Sequence, residues 1–271
     1  QGAPGVGKTF TAKRLAYSII GAKNPDRVQM IQFHQSYSYE DFIEGYRPTE
    51  NGFTIKKGSF YKFRKLAEDD DENDYFFIID EINRGEASKI FGELFYAIDP
   101  GYRGKKDIRV KTQYQNLVPE TDVFAEGFYI PENVFILGTM NDIDRSIESM
   151  DFAMRRRFTW KEIKPEDTQS MLDKLECATK AKNVMVRLNN EISKIEGLGP
   201  AYQVGPSYFL KLGDNGGNFE KLWNMNIEPL LREYIRGFRK SEEIMEKLRN
   251  AYFDTKESNS NINDNELVDE N

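Results

Sequence analysis

The sequence predicts an α/β fold in which a mostly parallel β-sheet is sandwiched between helices and is followed by a smaller helical domain. A glycine-rich loop near the start of the chain leads into an amphipathic helix. Strand patterns then alternate with helical patterns, and only helical periodicity remains beyond Pro165. We expect the α/β domain to cover residues 1–163, a helical lid 164–253, and a disordered, Asn- and Asp-rich tail 254–271.

Strands and helices alternate along the α/β domain. Apolar spacing predicts helices over Thr9–Ile20, Phe60–Leu66 and Ser88–Ile98, and buried strands over Val28–Phe33, Tyr75–Ile79 and Val134–Thr139. Gly21 is placed to end the first helix, since glycine readily adopts the left-handed conformation found at helix C-termini. The stretch Lys106–Phe128 predicts an insertion that carries a β-hairpin. The alternation indicates a mostly parallel sheet with both faces covered.

Only helices are predicted beyond the α/β domain. Apolar residues recur at helical spacing between Met171 and Ile195, and two later helices are predicted over Ile227–Arg236 and Ser241–Tyr252. This part of the chain is therefore expected to form a helical lid.

Composition and charge narrow the class of protein. The 271 residues include 39% apolar and 13% aromatic side chains, which is too many for a disordered chain. The net charge of −7 argues against a domain whose whole surface clamps DNA, although a ring pore or a neighbouring domain can be basic. Cys177 is the one cysteine, so no internal disulfide can form, which favours the cytoplasm. The longest apolar run, Tyr75–Ile79, is too short to span a membrane, and we expect no leader.

The sequence opens at Gln1, directly before the glycine-rich loop, and lacks the strand that normally leads into such a loop. We therefore expect this chain to be a fragment of a longer protein. A single histidine, His34, makes a zinc site implausible, and Cys177 has no neighbour that would activate its thiol. Nothing in the sequence resembles a nuclease site, so DNA cleavage is expected from another chain.

The glycine-rich loop is a complete GxxxxGK[ST] motif. Its glycines let the backbone wrap around a phosphate, Lys8 supplies positive charge to the β- and γ-phosphates, and Thr9 offers a hydroxyl to Mg²⁺. The amphipathic helix that follows is the context the motif requires. These features predict a P-loop nucleoside triphosphatase. The predicted nucleotide-binding residues of this segment are Gly2, Ala3, Pro4, Gly5, Val6, Gly7, Lys8, Thr9 and Phe10.

Two carboxylates end the strand that begins at Tyr75. Asp80 is expected to hold Mg²⁺ together with Thr9, and Glu81 to polarise the attacking water, as in a Walker B motif. Paired acids at a strand end are often only solvated caps. The preceding phosphate-binding loop favours the functional interpretation.

Asn141 follows the strand Val134–Thr139. An amide at the tip of the strand beside the Walker B strand can orient the attacking water, which is the role called sensor 1. An asparagine in this place is also common as a turn residue. The order of the motifs favours the catalytic role for Asn141.

Three consecutive arginines, Arg155, Arg156 and Arg157, follow the sensor segment. An arginine at the edge of a subunit can reach the nucleotide of a neighbour and neutralise charge in the transition state. The alternative is a basic helix end that is merely solvated and favoured by the helix dipole. We expect at least one of the three to act on a neighbour, and the spacing alone leaves open which one.

The chain carries five blocks in order, at residues 33–48, 80–94, 139–146, 151–158 and 205–209. Together they resemble the McrB-type GTPases of restriction systems directed at modified, 5-methylcytosine-containing DNA. Thr139–Ser146 resembles the family signature MNTADRS, Asp151–Phe158 resembles D-[YF]-A-[LM]-R-R-R-F, and Gly205–Phe209 resembles G-H-S-Y-F. The other blocks are Phe33–Pro48, after the second strand of such proteins, and Asp80–Leu94, an extended Walker B segment.

The resemblance implies an AAA+ fold that assembles as a hexameric ring, with GTP rather than ATP as fuel and with Mg²⁺. It implies an McrC-type endonuclease as the partner that stimulates hydrolysis. DNA would be recognised by a domain N-terminal to this sequence, and the ring pore could contact DNA as well. Within the chain it assigns Asn141, Asp144 and Arg145 to the nucleotide, and Arg156 or Arg157 to the nucleotide of a neighbour.

The sequence departs from the family pattern at two places. Asp142-Ile143 replaces Thr-Ala in the signature and adds a carboxylate near the phosphates, while Pro206 replaces a histidine and removes a side-chain donor. Two other functions remain open, an AAA+ ATPase that remodels protein complexes and a nucleotide-dependent assembly scaffold. The intact Lys8 and Glu81 argue against the scaffold, whereas the phosphate motifs do not distinguish GTP from ATP.

Overall fold

The computed structural model describes most of the chain and divides it into two compact units. One unit is Thr9–Lys161, and the other combines Gln1–Lys8 with the chain from Glu162 onward. By packing, the glycine-rich loop up to Lys8 thus belongs with the later part of the chain, and the predicted domain boundary at residue 163 stays a prediction. The described residues are 1–50, 52–99, 101–105, 107–143, 150 and 152–254.

The unit Thr9–Lys161 is built on a parallel sheet. The strands of the whole unit are β1 (Val28–Gln32), β2 (Glu44–Thr49), β3 (Gly52–Lys57), β4 (Tyr75–Asp80) and β5 (Val134–Gly138). The parallel sheet has the order β1-β4-β5, while β2 and β3 form a separate antiparallel hairpin. The central β4 is apolar throughout its buried length because both of its faces are covered. Since the three strands are parallel, the residues that follow them meet at one edge of the sheet.

Helices cover the sheet on both faces. On one face, Ala16 of α1 (Lys8–Ile20) packs with Phe76 and Ile78 of β4. On the other face, a larger cluster rich in phenylalanine surrounds Phe77. Gly21 ends α1 with φ 77°, and its N–H donates to the carbonyl oxygen of Tyr17 at 3.0 Å. The other α-helices of this unit are α2 (Tyr39–Phe42), α3 (Ser59–Asp69), α4 (Ala87–Phe91) and α5 (Phe152–Arg155).

Two predicted elements of this unit were wrong. The helix predicted over Ser88–Ile98 is instead α4 followed by a 3-10 helix, Gly92–Phe95, because Gly92 adopts φ 52° and interrupts the α-helix. The hairpin predicted within Lys106–Phe128 is absent from the described residues of that stretch. They contain an isolated bridge between Val110 and Phe128 and a short 3-10 helix, and the hairpin of this unit lies earlier, at β2 and β3.

The later unit is helical, as predicted. Its long helices α6 (Ala178–Lys194) and α11 (Ser241–Phe253) pack against each other, and α6 buries Val184, Leu188 and Ile192 along one face. No helix in the part of the chain that the structure describes is long and apolar enough to cross a membrane. Of the predicted tail, only Asp254 lies within the described residues. The short α-helices between α6 and α11 are α7 (Pro206–Phe209), α8 (Lys211–Asp214), α9 (Phe219–Leu222) and α10 (Glu228–Tyr234).

Candidate functional site

The glycine-rich loop has the backbone shape of an anion-binding nest. Gly5 and Gly7 adopt φ values of 77° and 79°, which side chains rarely allow and which bring successive N–H groups to one side of the chain. The Nζ atom of Lys8 donates to the carbonyl oxygens of Gly2 and Ala3 at 2.9 and 3.0 Å. These carbonyls are thus occupied by a donor of the loop itself, and the N–H side of the loop is the side suited to an anion.

Two hydroxyls converge on Asp80 at the carboxyl end of β4. Thr9 Oγ1 and Thr139 Oγ1 each donate to Asp80 Oδ1 at 2.6 Å. A threonine hydroxyl beside a single carboxylate is a set of hard oxygen ligands, which Mg²⁺ prefers when phosphate and water complete its shell. The described residues contain no group of three or more acidic, histidine or cysteine side chains suited to a metal. The oxygens of Thr9 and Asp80 fit a magnesium ion whose other ligands would come from a phosphate and water.

Glu81 lies beside this cluster in an unusual backbone conformation. Its φ and ψ are 53° and 47°, in the left-handed region that non-glycine residues seldom occupy. Its N–H donates to Thr139 Oγ1 at 3.2 Å, so the same threonine touches both acids. Residues held in such strained conformations concentrate at functional sites.

The Glu81 carboxylate is held by two side chains. Asn141 Nδ2 donates to Oε1, and Arg84 Nε lies 3.4 Å from Oε2. Asn83 Nδ2 donates to the carbonyl oxygen of Asn141 at 3.2 Å and so links the two segments. The structure brings the two predicted catalytic residues Glu81 and Asn141 into direct contact, with the carboxylate of Glu81 largely shielded from solvent.

The three arginines differ in how firmly their own chain holds them. The side chain of Arg157 is 8% exposed, with its guanidinium 4.1 Å from the Phe95 ring centre and Nη1 donating to the Ala153 carbonyl at 2.6 Å. Arg155 lies 4.5 Å from the ring centre of Trp160. Arg156 is exposed, and it makes no such contact with any residue in the described ranges.

Three predicted nucleotide residues stay untested by the geometry. Asp144 and Arg145 lie outside the described residues. Phe10 is 54% exposed, with the guanidinium of Arg14 lying 5.4 Å from its ring centre. Its predicted place at the nucleotide remains a prediction.

The structure adds Thr139 and Arg84, which motif matching alone did not select as site residues. Thr139 ends the predicted strand beside the Walker B strand, and a hydroxyl at that position is the signal that would have found it. Arg84 stands three residues after Glu81 and reaches back to it because the 3-10 helix Ile82–Arg84 turns the chain tightly.

Known proteins share this architecture. Residues 1–158 match the family model of the AAA domain, dynein-related subfamily. This chain belongs to the AAA family. Residues 180–243 match the model described as McrB, alpha-helical lid domain, so the resemblance carried by the five blocks is confirmed. The predicted AAA+ fold with a helical lid is confirmed as well, and with it the class of nucleoside triphosphatases.

Two curated relatives carry names from restriction systems. The chain is 44% identical over 249 residues to the type IV methyl-directed restriction enzyme EcoKMcrB subunit of Escherichia coli K12, covering 87% of this chain and 53% of that protein. It is 26% identical over 260 residues to the type II restriction enzyme BsuMI component YdiS of Bacillus subtilis 168, covering 83% and 74%. The McrB-like AAA chain therefore spans about half the length of its E. coli relative.

Proposed function

We propose that this chain is the GTP-hydrolysing motor part of a methyl-directed restriction system, in which another chain cleaves the DNA. The observation that carries the enzymatic part is the cluster around Asp80 and Glu81, where Thr9, Thr139 and Asn141 hold the two carboxylates in separate roles. The restriction setting is supported by the names of the two curated relatives and by the McrB-type lid.

In this function the loop binds the phosphates of the nucleotide, and the carboxylate cluster serves hydrolysis. The N–H groups of the loop bind the β- and γ-phosphates, and Lys8 leaves the loop carbonyls to neutralise phosphate charge. Thr9 and Asp80 would hold Mg²⁺, which would supply positive charge to the phosphates. The carboxylate of Glu81 orients the attacking water and accepts its proton, while Asn141 fixes the direction in which that carboxylate points.

A neighbouring copy of the chain completes the site. Arg156 is the arginine of its cluster that the protein's own side chains leave exposed, so it is the one suited to reach the nucleotide of the next subunit. An arginine supplied in trans stabilises the charge of the phosphoryl-transfer transition state. This requirement favours assembly as a closed ring, and by resemblance a hexamer.

The partners follow from the same resemblance. We propose an McrC-type endonuclease that stimulates hydrolysis and DNA that is recognised outside the residues of this chain, in the cytoplasm. Both relatives are named as components of restriction enzymes, which supports a multi-subunit assembly.

Hydrolysis of GTP and ATP measured side by side tests this function. The full-length protein with Mg²⁺ is expected to hydrolyse GTP faster, and Lys8→Ala is expected to abolish tight nucleotide binding because it removes the charge that neutralises the phosphates. Equal rates, or faster ATP hydrolysis, would indicate a remodelling ATPase instead. Unchanged nucleotide affinity of Lys8→Ala in a titration would contradict the assignment of the loop.

A further inference from the structure

A segment of the lid hydrogen-bonds to the backbone of the glycine-rich loop. The N–H of Gly205 donates to the carbonyl oxygen of Pro4 at 2.9 Å, and the N–H of Ser207 donates to that of Gly5 at 3.0 Å. Both donors belong to the same compact unit as the loop. With Lys8 on the two preceding carbonyls, four successive carbonyl oxygens of the loop are engaged by donors of the protein.

The packing between this segment and the loop leaves no room for a side chain on either glycine. A Cβ atom added to Gly5 would lie 2.6 Å from Cδ2 of Tyr208 and 2.7 Å from Oγ of Ser207. A Cβ atom added to Gly205 would overlap the backbone of Gly5 and Val6. Backbone cannot move aside as the end of a flexible side chain can, so this contact is rigid.

The lid segment is itself fixed from behind. Asn189, which is 3% exposed, accepts from the N–H of Val204 at 2.7 Å and donates to its carbonyl oxygen at 2.9 Å. Pro206 occupies the first position of α7, where its fixed φ suits a helix start. Pro206 has no N–H, and it stands between Gly205 and Ser207, whose N–H groups face the loop. The departure from histidine at this position thus leaves the backbone contacts in place.

We propose that Gly205–Tyr208 is a positioning element, which braces the phosphate-binding loop and thereby sets the affinity for nucleotide without touching it. The inference rests on the proposed function of the loop. Engaged carbonyl oxygens keep the electronegative side of the loop occupied, which presents its N–H groups to a phosphate. A loop that is held in this shape before binding loses less conformational freedom when the nucleotide arrives. Without the brace, the binding-competent shape is populated for only a fraction of the time, and the apparent affinity falls by that fraction.

Gly205→Ala in the full-length protein tests the brace, with Gly213→Ala as the matched control. A Cβ at Gly213 would meet only the Leu175 side chain, at 3.3 Å, and that chain end can shift. In titrations with GTP and Mg²⁺, Gly205→Ala is expected to bind about tenfold or more weakly, while Gly213→Ala binds like the wild type. KM should rise with kcat at saturation nearly unchanged, because the brace acts on binding and not on the chemical step.

A second pair of variants separates the ring of Tyr208 from its hydroxyl. Tyr208→Ala removes the ring that packs on Gly5 and should weaken GTP binding, whereas Tyr208→Phe keeps the ring and should restore it. Thermal melting identifies any variant that fails to fold. If Gly205→Ala fails to fold, the Tyr208 pair tests the brace in its place. Wild-type affinity in both Gly205→Ala and Tyr208→Ala would overturn the brace. Absence of nucleotide binding by the wild type would instead overturn the proposed function.

Discussion

Thr139 connects the two acids that the proposed mechanism keeps apart. Its hydroxyl donates to Asp80 and accepts the N–H of Glu81, and the residue is 4% exposed. One hydroxyl therefore orients Asp80, the proposed metal ligand, and also holds the strained backbone of Glu81, the proposed base for the attacking water. A single buried polar group with two such contacts is costly to lose, since both partners are left without it.

Thr139→Val should therefore impair hydrolysis more than folding. The methyl group fills the same space but removes both hydrogen bonds, so we expect turnover to fall about tenfold or more and the Mg²⁺ concentration for half-maximal rate to rise. Thr139→Ser, which keeps the hydroxyl, should restore most of the activity. Turnover measured across a Mg²⁺ titration checks both effects. A valine variant with the wild-type Mg²⁺ dependence would show that Thr139 only fills space.

Glu81→Gln separates binding from hydrolysis at the neighbouring residue. The amide keeps the shape of the side chain but cannot accept the proton of the attacking water, so turnover should fall about 10²-fold or more while GTP still binds. Single-turnover kinetics together with a GTP titration measure the two quantities. A variant with nearly normal turnover would place the catalytic base elsewhere.

At the scale of elements, α3 is joined to the stretch that precedes β5 through a buried arginine. Arg64 is fully buried, its guanidinium lies 4.0 and 3.9 Å from the ring centres of Phe124 and Tyr129, and its Nε donates to the Tyr129 carbonyl at 2.6 Å. Burial lowers the pKa of Arg64 to about 10, so the side chain stays charged at neutral pH. Phe124 and Tyr129 thus form an aromatic cage around the Arg64 guanidinium.

Arg64→Met should destabilise the fold without changing the site. It loses the cation–π contacts and the hydrogen bond to Tyr129, which together we expect to contribute about 3 kcal/mol to the free energy of unfolding. Chemical denaturation measures this loss. Lys65→Met is the control, because the side chain of Lys65 is 44% exposed. GTP affinity of the folded variant should match that of the wild type. A loss below about 0.5 kcal/mol, typical of surface substitutions, would contradict a structural role for the cage.

The sequence predicted the regular strands and long helices of the fold better than the places where a helix is interrupted. β4 and α6 were predictable because their patterns are local in sequence. An apolar run that ends in acids indicates a buried strand, and apolar residues at helical spacing indicate a helix. The break at Gly92 was not, since it depends on Tyr39, whose ring a Cβ at Gly92 would approach to 2.9 Å. The hairpin β2–β3 does have a sequence signal, the Asn51-Gly52 dipeptide, which favours tight hairpin turns.

In the candidate site, too, some features could be predicted from the sequence and others could not. Lys8, Thr9, Asp80 and Glu81 lie in motifs of fixed spacing, so their chemistry could be predicted from the chain alone. The contacts of Thr139 with both acids and the support of the loop by Gly205 join residues far apart in sequence. Such contacts follow from packing, which no local pattern encodes.

At the scale of the whole molecule, the proposed ring requires a surface that meets a neighbour. Phe152, at the start of α5, is 90% exposed, and the exposed Arg156 follows on the same short segment. Phenylalanine and arginine are both enriched at protein interfaces, and a charge beside Phe152 is well placed to enter a neighbour's site. This arrangement leads to a prediction about how activity depends on assembly.

Hydrolysis per subunit should rise with protein concentration, because a monomer lacks the charge supplied in trans. Arg156→Ala should lose turnover while it still binds GTP. Mixing it with Lys8→Ala should partly restore activity, because a nucleotide bound by the arginine variant then meets the intact Arg156 of its neighbour. Arg157→Ala serves as the contrast, since Arg157 is held by Phe95 and Ala153 of its own chain and its loss should lower thermal stability. Turnover that is independent of concentration, with no rescue in the mixture, would mean that Arg156 acts within its own chain or only at the surface.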